Sequence, residues 1–243
     1  MDQLQLPENV SRIQNDETFS FSCHPKVDCF TDCCRQLELA LTPYDVLRLK
    51  EETKLDSSSF LDRYVIQEQE KEDVFPRLYL TMVDDGQASC VFVAKTGCTV
   101  YPGRPGACRA YPMGRAAMRK YNNRIEEFFV LLKEPHCHGF QEQEEQTTES
   151  YSKGQGLQTY NSFNDKVAVL LQHEKIRQGM KLTEEQIQFF ILALYDIDAF
   201  RKQLDKRTLP HQETYSAKKE ACKDDEQLLL FGIDWLHGVL FQK

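Results

Sequence analysis

Four cysteines fall within twelve residues of this chain: Cys23, Cys29, Cys33 and Cys34. Four more follow at Cys90, Cys98, Cys108 and Cys137. A thiolate is a soft metal ligand, and thiolates close in sequence can surround an ion at little loop-closure cost. Eight thiols suffice for two four-coordinate centres, or for one cluster with ligands to spare. The spacing is C-x5-C-x3-C-C, then C-x7-C-x9-C, then a cysteine inside His136-Cys137-His138. Two adjacent residues chelate one ion awkwardly, so Cys33 and Cys34 are expected to serve different metals, or only one of them to be a ligand. The expected metal set is therefore Cys23, Cys29, Cys33, Cys34, Cys90, Cys98, Cys108 and Cys137. Residue type does not separate zinc from an iron–sulfur cluster, since both accept four thiolates.

Several neighbours could assist. Arg35, Arg104, Arg109 and Arg115 lie near ligand cysteines and could neutralise an anionic centre or pair with surface carboxylates. His136 and His138 could be substitute ligands or a proton relay; the plainer reading makes them loop histidines, as for His24. Tyr101 and Tyr111 are expected to be packed with their hydroxyls bonded. The ninth cysteine, Cys222, falls on an expected helix and reads as a plain half-buried thiol. Gly154-Gln155-Gly156 reads as a turn, since two glycines without a preceding strand are weak evidence for a phosphate loop.

Composition sets the frame. With 243 residues, 41% hydrophobic and 28% charged, the chain can form a sizeable core. Its net charge of −8 and pI near 5.4 give no basic footprint, so nucleic acid is not an expected partner. The first residues lack the basic and apolar regions of a secretory leader, and Leu228–Phe241 is interrupted by Asp234 and His237. A soluble, cytoplasmic protein off the membrane is expected. Nine cysteines in that setting argue for metal binding over disulfides. P-loop, GxSxG and HExxH motifs are absent, as is the CxxxCxxC of radical enzymes.

The elements that position these residues read as follows. Residues 1–18 are polar and expected to be loosely ordered, and 19–36 irregular. Thr42-Pro43-Tyr44-Asp45 is a helix start, with Thr42 as cap, Pro43 at the first position and Leu41 and Val46 as a hydrophobic staple. That helix runs to about Thr53, and a shorter one covers about 58–67. Residues 74–94 read as a hairpin around Val83-Asp84-Asp85-Gly86, with a short strand at 98–101. Residues 102–116 read as a constrained loop, Arg124–Lys133 as a strand, and 141–156 as a polar linker. Helices are expected over 158–179, 183–206 and 216–241. The fold class is therefore α+β and mainly helical. A cysteine-rich domain with a small antiparallel hairpin or sheet covers 1–157, and a C-terminal helical subdomain covers 158–243.

These residues carry a family resemblance. Phe21-x-Cys23, Cys29-x3-Cys33-Cys34-Arg35, Leu41-Thr42-Pro43-x-Asp45, Cys90-x-Phe92, Gly97-Cys98-Thr99-Val100-Tyr101, Arg104-Pro105-x2-Cys108-Arg109-x-Tyr111-Pro112 and Cys137-x-Gly139 stand in order. The chain resembles the YkgJ-like cysteine-cluster family, whose CxxCxxCC-type box marks a zinc- or iron-chelating domain, over roughly residues 19–156. The first box is looser here, with five and three intervening residues in place of two and two, and His138 stands where the family usually has proline. The resemblance implies a metal-binding protein with a redox or metal-handling role. A related domain occurs in flagellin lysine methylases, so an oxidoreductase or a protein lysine methyltransferase-like enzyme is an alternative. A structural zinc module that binds a protein partner through its C-terminal helices is another.

Overall fold

The computed structural model describes residues 6–120, 124–210 and 224–242. In chain order the strands are β1 (Val10–Ile13), β2 (Thr18–Ser20), β3 (Val65–Glu68), β4 (Arg77–Leu80), β5 (Met82–Val83), β6 (Ser89–Cys90), β7 (Val93–Ala94), β8 (Gly97–Cys98), β9 (Met113–Arg119), β10 (Ile125–Leu132) and β11 (Glu145–Thr147). The helices are α1 (Pro43–Thr53), α2 (Ser57–Tyr64), α3 (Gly106–Ala110), α4 (Thr148–Gly154), α5 (Leu157–Leu171), α6 (Glu174–Arg177), α7 (Glu184–Leu194), α8 (Ile197–Lys206) and α9 (Asp225–Phe241). The fold is α+β, with small antiparallel sheets and a helical C-terminal region. Cys222 and the start of the helix expected from residue 216 lie outside the described residues.

Two compact units result. One comprises the residues up to Leu37 with Met82–Asn161; the other comprises Glu38–Thr81 with the chain from Ser162 onward. This grouping differs from a simple division at 157/158, because residues 38–81 pack with the C-terminal helices.

The first unit is built on the antiparallel sheet β1–β10–β9. Ile13 lies opposite Phe129, and Leu131 opposite Met113. Alternation sends Ile13, Met113 and Leu131 to one face, where they meet Phe19, Phe21, Tyr151 and Leu157 in a core. Phe21 is the hub, edge-on to Tyr111, Phe140 and Tyr151 at centroid distances of 6.2, 5.3 and 6.1 Å. Residues 10–13 and 18–20 are strands, where loosely ordered or late-packing chain was expected up to 18 and irregular chain from 19; β10 and β11 supply their partners. The expected linker at 141–156 holds β11 and α4, whose start is a capping box between Thr147 and Ser150. The expected loop at 102–116 likewise contains α3 and the first residues of β9. The expected strand at Arg124–Lys133 is present as β10.

The hairpin at 74–94 forms only in part. Its Asp-Gly turn joins β5 to β6, with Gly86 at φ +76°, a conformation that favours glycine. Residues 77–80 instead pair with β3. The helix expected over 58–67 stops at Tyr64 for the same reason: Val65 and Ile66 are β-branched and take the strand. Residue 98 ends the short hairpin β7–β8, and Tyr101–Gly103 is a 3-10 turn, so no strand covers 98–101.

The second unit is helical around α1, α2, α7, α8 and α9. Thr42, the expected cap of α1, closes a capping box with Asp45, and Thr183 and Gln186 form one at the start of α7. The helix expected over 183–206 breaks after Leu194, because Asp196 caps a new helix through the Ala199 amide. That over 158–179 breaks likewise, where the His173 ring accepts from the Lys175 amide and starts α6. Phe60, Phe190, Phe200, Leu229, Trp235 and Leu236 are fully buried. Gly232 lets α9 approach α7: a Cβ there would meet the Ala193 carbonyl oxygen at 2.4 Å. Gly232→Ala is expected to destabilise the chain by about 1–3 kcal/mol through overpacking, read as a lower urea midpoint at unchanged m-value.

Candidate metal centre

The first cysteine box has no regular structure except one 3-10 turn, Asp32–Cys34. Thr31 and Gln36 flank it at φ +74° and +54°. Left-handed backbone at non-glycine residues is unfavourable, so the surroundings must hold it. They do so by pairing: the Gln36 amide donates to the Ala88 carbonyl at 3.0 Å, and Arg35 bridges to Ser89. This ties the Cys33–Cys34 turn to the strand that carries Cys90.

Cys23, Cys29, Cys33 and Cys137 line one small cavity of about 20 Å³, together with Phe21, Val27, Tyr111, His136 and Gly139. Residues 109 positions apart meet directly: the His138 amide donates to the Cys29 sulfur at 3.2 Å. The Ser22 amide donates to the Gly139 carbonyl at 3.0 Å. Gly139 is required for this approach, since a Cβ would come within 2.5 Å of the Phe21 ring and 2.9 Å of the Ser22 carbonyl oxygen. Cys34 does not line the cavity; it interacts with Cys33. Cys90 neighbours Cys98 and Cys33. The structure thus gathers seven of the eight cysteines, with Cys33 between the two groups. Cys108 is exposed on α3.

The thiols disfavour ionisation in one another's company. Burial, then the charges of Cys33, Cys29 and Cys137, push the Cys23 thiol up to about 11. Cys23 keeps exposed surface, yet its sulfur is surrounded enough for desolvation to lead. The hydrogen bond to Cys34, then burial, drives Cys33 far above the ordinary thiol value. Cys90 and Cys137 are raised, chiefly by burial. A cation among these sulfurs reverses that preference.

Two buried polar atoms sit unpaired among the described residues: the Tyr111 hydroxyl and the Arg35 Nε. The Tyr111 hydroxyl lies beside Cys137 and Glu134 without a hydrogen bond of good geometry; burial first, then these neighbours, push its pKa up, so it stays a proton donor. Arg35 follows Cys34 directly. Orphaned donors cost free energy unless an acceptor is supplied, and a metal-bound thiolate is such an acceptor.

The other neighbours divide. Arg115 pairs with Glu127 at 2.6 Å, and Arg35 with Asp32 at 3.2 Å. Arg104 donates to the Gln155 side chain, and Arg109 to the carbonyls of Arg104, Pro102 and Gln155. That places Gly154–Gly156 in a fastened turn. His136 lines the thiol cavity 3.6 Å from Glu134, and His24 lies 3.4 Å from Glu142. Tyr101 is 57% exposed, with the Arg104 guanidinium stacked on it, and so is not packed as expected. The expected bonded hydroxyl of Tyr111 is the orphan instead. Its sequence signal was the Cys108-Arg109-x-Tyr111-Pro112 run; Gly139 had none beyond its place after Cys137.

The donor set fits a thiophilic metal. Four soft ligands share a cavity about the size of one water, which spans roughly 10–15 Å³ by the same measure. Among the described residues, no three His, Cys, Asp or Glu side chains stand in position to hold an ion. The fold and this site define a cysteine-rich α+β protein with four thiols lining one small cavity. Residues 22–138 match the model of the CxxCxxCC family, described as a putative zinc- or iron-chelating domain. No curated protein and no solved structure matches the chain. Among the described residues no helix is long and apolar enough to cross a membrane.

Proposed function

We propose that the chain is a cytoplasmic metal-handling protein that takes up and releases zinc or iron at the cavity of Cys23, Cys29, Cys33 and Cys137. The observation that carries this reading is the placement of those four thiols around one small cavity beside an orphaned Tyr111 hydroxyl. When bound, the metal supplies a Lewis-acid or redox centre. The chain's residues supply the rest. On binding a metal the four thiols would release their protons to solvent and hold it as thiolates, the Tyr111 hydroxyl would donate to the Cys137 sulfur, and Phe21 and Val27 would limit water at the site. Cys23 is exposed, which leaves one edge open to an exchanging ligand; a purely structural site is closed. Cys34, Cys90 and Cys98 form a second thiol group that passes or receives metal. A redox role is the companion reading if the metal is an iron–sulfur cluster, whose potential a Tyr111–sulfur hydrogen bond tunes.

Metal and acid-labile sulfide analysis of anaerobically purified protein tests this. One or two equivalents of zinc in colourless protein, or iron in brown protein, supports it and names the metal. Protein that binds neither at micromolar concentration overturns it. Tyr111→Phe separates the site from ordinary packing. The apo protein is expected to keep its stability or gain up to about 1 kcal/mol, because an unpaired hydroxyl is removed. Its metal affinity is expected to fall about 10-fold. Equal affinity by chelator competition would mean that the hydroxyl has no part in the centre.

A further inference from the structure

The open edge of the thiol cavity carries a positive charge. Cys23 is exposed there, and the charge of Arg104 acts on both Cys23 and Tyr151. The fold holds Arg104 in place. Its guanidinium stacks 3.8 Å from the centroid of the Tyr101 ring, which is 57% exposed. It donates to the Tyr101 carbonyl at 3.0 Å and to the Gln155 side chain at 2.6 Å. Its own carbonyl accepts from the Tyr160 hydroxyl and the Arg109 Nε, both at 3.1 Å. Gln155 caps α4 one turn beyond Tyr151, and Tyr151 packs edge-on against Phe21, a wall of the cavity. Two of the five N–H groups of the guanidinium are thus spent. Among the described residues Arg104 has no carboxylate partner, in a chain where 38 acidic residues outnumber 30 basic ones. No carboxylate figures among the charges that act most on Cys23. The neighbouring Arg109 differs, since all three of its nitrogens donate to backbone carbonyls and make it a clamp.

Building on the metal-handling reading, we infer that Arg104, on its Tyr101 platform, docks a small polycarboxylate that brings metal to the Cys23 edge or takes it away. The chemistry selects this class. Four thiolates around a divalent ion leave a net negative centre, so an anion approaching it needs a fixed cation. A planar guanidinium with uncommitted N–H groups matches a carboxylate. A further carboxylate on the same molecule supplies the oxygen that replaces sulfur. The exchange balances: one oxygen–metal bond forms, the Cys23–metal bond breaks, and the freed sulfur takes a proton from solvent. A simple inorganic anion has no second arm, a cationic carrier is repelled by Arg104, and a neutral one gains nothing from it.

Two tridentate chelators separate charge from chelation: nitrilotriacetate is anionic and terpyridine neutral. On the metal-loaded full chain, Arg104→Gln is expected to slow metal removal by nitrilotriacetate about tenfold and to leave the terpyridine rate within about twofold. Added salt is expected to slow the nitrilotriacetate reaction of the wild type and not that of the variant. Arg104→Lys keeps the charge and is expected to restore most of the rate. Circular dichroism and bound metal are read on each variant and are expected to be unchanged. On the metal-free chain, tricarballylate, a tricarboxylate of low metal affinity, is expected to shift the Arg104 side-chain N–H resonance saturably, and its neutral triamide to leave it in place. Equal slowing with both chelators, a full nitrilotriacetate rate in Arg104→Gln, or no shift with tricarballylate each overturns the proposal. A tricarballylate shift in protein that takes up no metal upholds the anion site and removes the metal reading alone, so the two failures are seen separately.

Discussion

Cys33→Ser is expected to strip the metal from the protein more completely than a change at Cys90, Cys98 or Cys108. Cys33 lines the cavity with Cys23, Cys29 and Cys137, adjoins Cys34, and is felt by Cys90. A serine hydroxyl is a harder donor and does not ionise near neutral pH. Losing a supporting partner of a metal ligand costs about 10–100-fold in affinity, so losing the ligand itself is expected to exceed about 100-fold. Competition with a chelator of known affinity, on protein shown to be folded, reads this directly. Cys90→Ser should lose far less if the cavity is one centre. Full retention of metal by Cys33→Ser at wild-type affinity would sink the assignment of the four-thiol cavity.

Lys50→Ala is expected to destabilise the chain by about 3–5 kcal/mol, the usual consequence of removing one member of a buried ion-pair group. The Lys50 side chain is only 8% exposed, and its ammonium lies 2.7 Å from both Asp198 and Asp225. Asp225 also takes Arg201 at 2.8 Å, and Asp198 accepts from the Ser57 amide at 2.7 Å. The lysine thus joins α1 to α8 and α9, and its loss leaves two carboxylates facing each other. The pH dependence follows from the shifts. Burial opposes the ammonium, but the bonds to Asp198 and Asp225 outweigh it, and Lys50 is raised. Burial likewise opposes the Asp198 carboxylate, but Lys50 and Ser57 outweigh it, and Asp198 is lowered. A depressed carboxylate stabilises fully above its unfolded value, near 3.9, and loses that contribution as pH falls through the lower folded value. A raised lysine stabilises fully below about 10.4 and loses that contribution as pH rises through its higher folded value. The contribution of this ion-pair group should therefore be flat from about pH 5 to about pH 9 and decline on both sides. In Lys50→Ala both declines shrink. Urea midpoints across that range are the measurement; a wild-type midpoint at pH 7 would contradict the ion-pair account.

The legible parts of the sequence were those whose signals are local. Thr42, Pro43 and Asp45 fix the start of α1 within four residues, and the helix runs over Pro43–Thr53 as expected. The apolar run of Phe128–Val130 was enough for β10. β1 was not legible, because Val10-Ser11-Arg12-Ile13 becomes a strand only by pairing with residues about 120 positions away. Breaks were missed where a polar residue restarts a helix inside an apolar pattern, as Asp196 does between α7 and α8. In the site, the sequence marked eight cysteines as equals. Which four share a cavity depends on the turn at Thr31–Gln36 and the contact of Gly139 with Phe21, and both are tertiary facts.

The interleaving of the two units bears on how the protein is made. Translation delivers residues 38–81 early, yet their partners begin at Ser162. At about 5–20 residues per second, Leu47, Leu49 and Phe60 wait on the order of ten seconds at the ribosome before α7 emerges. The thiol-bearing unit needs nothing beyond Asn161 and is complete first. A nascent chain thus presents its thiol-bearing unit while the apolar residues of 38–81 still await their partners.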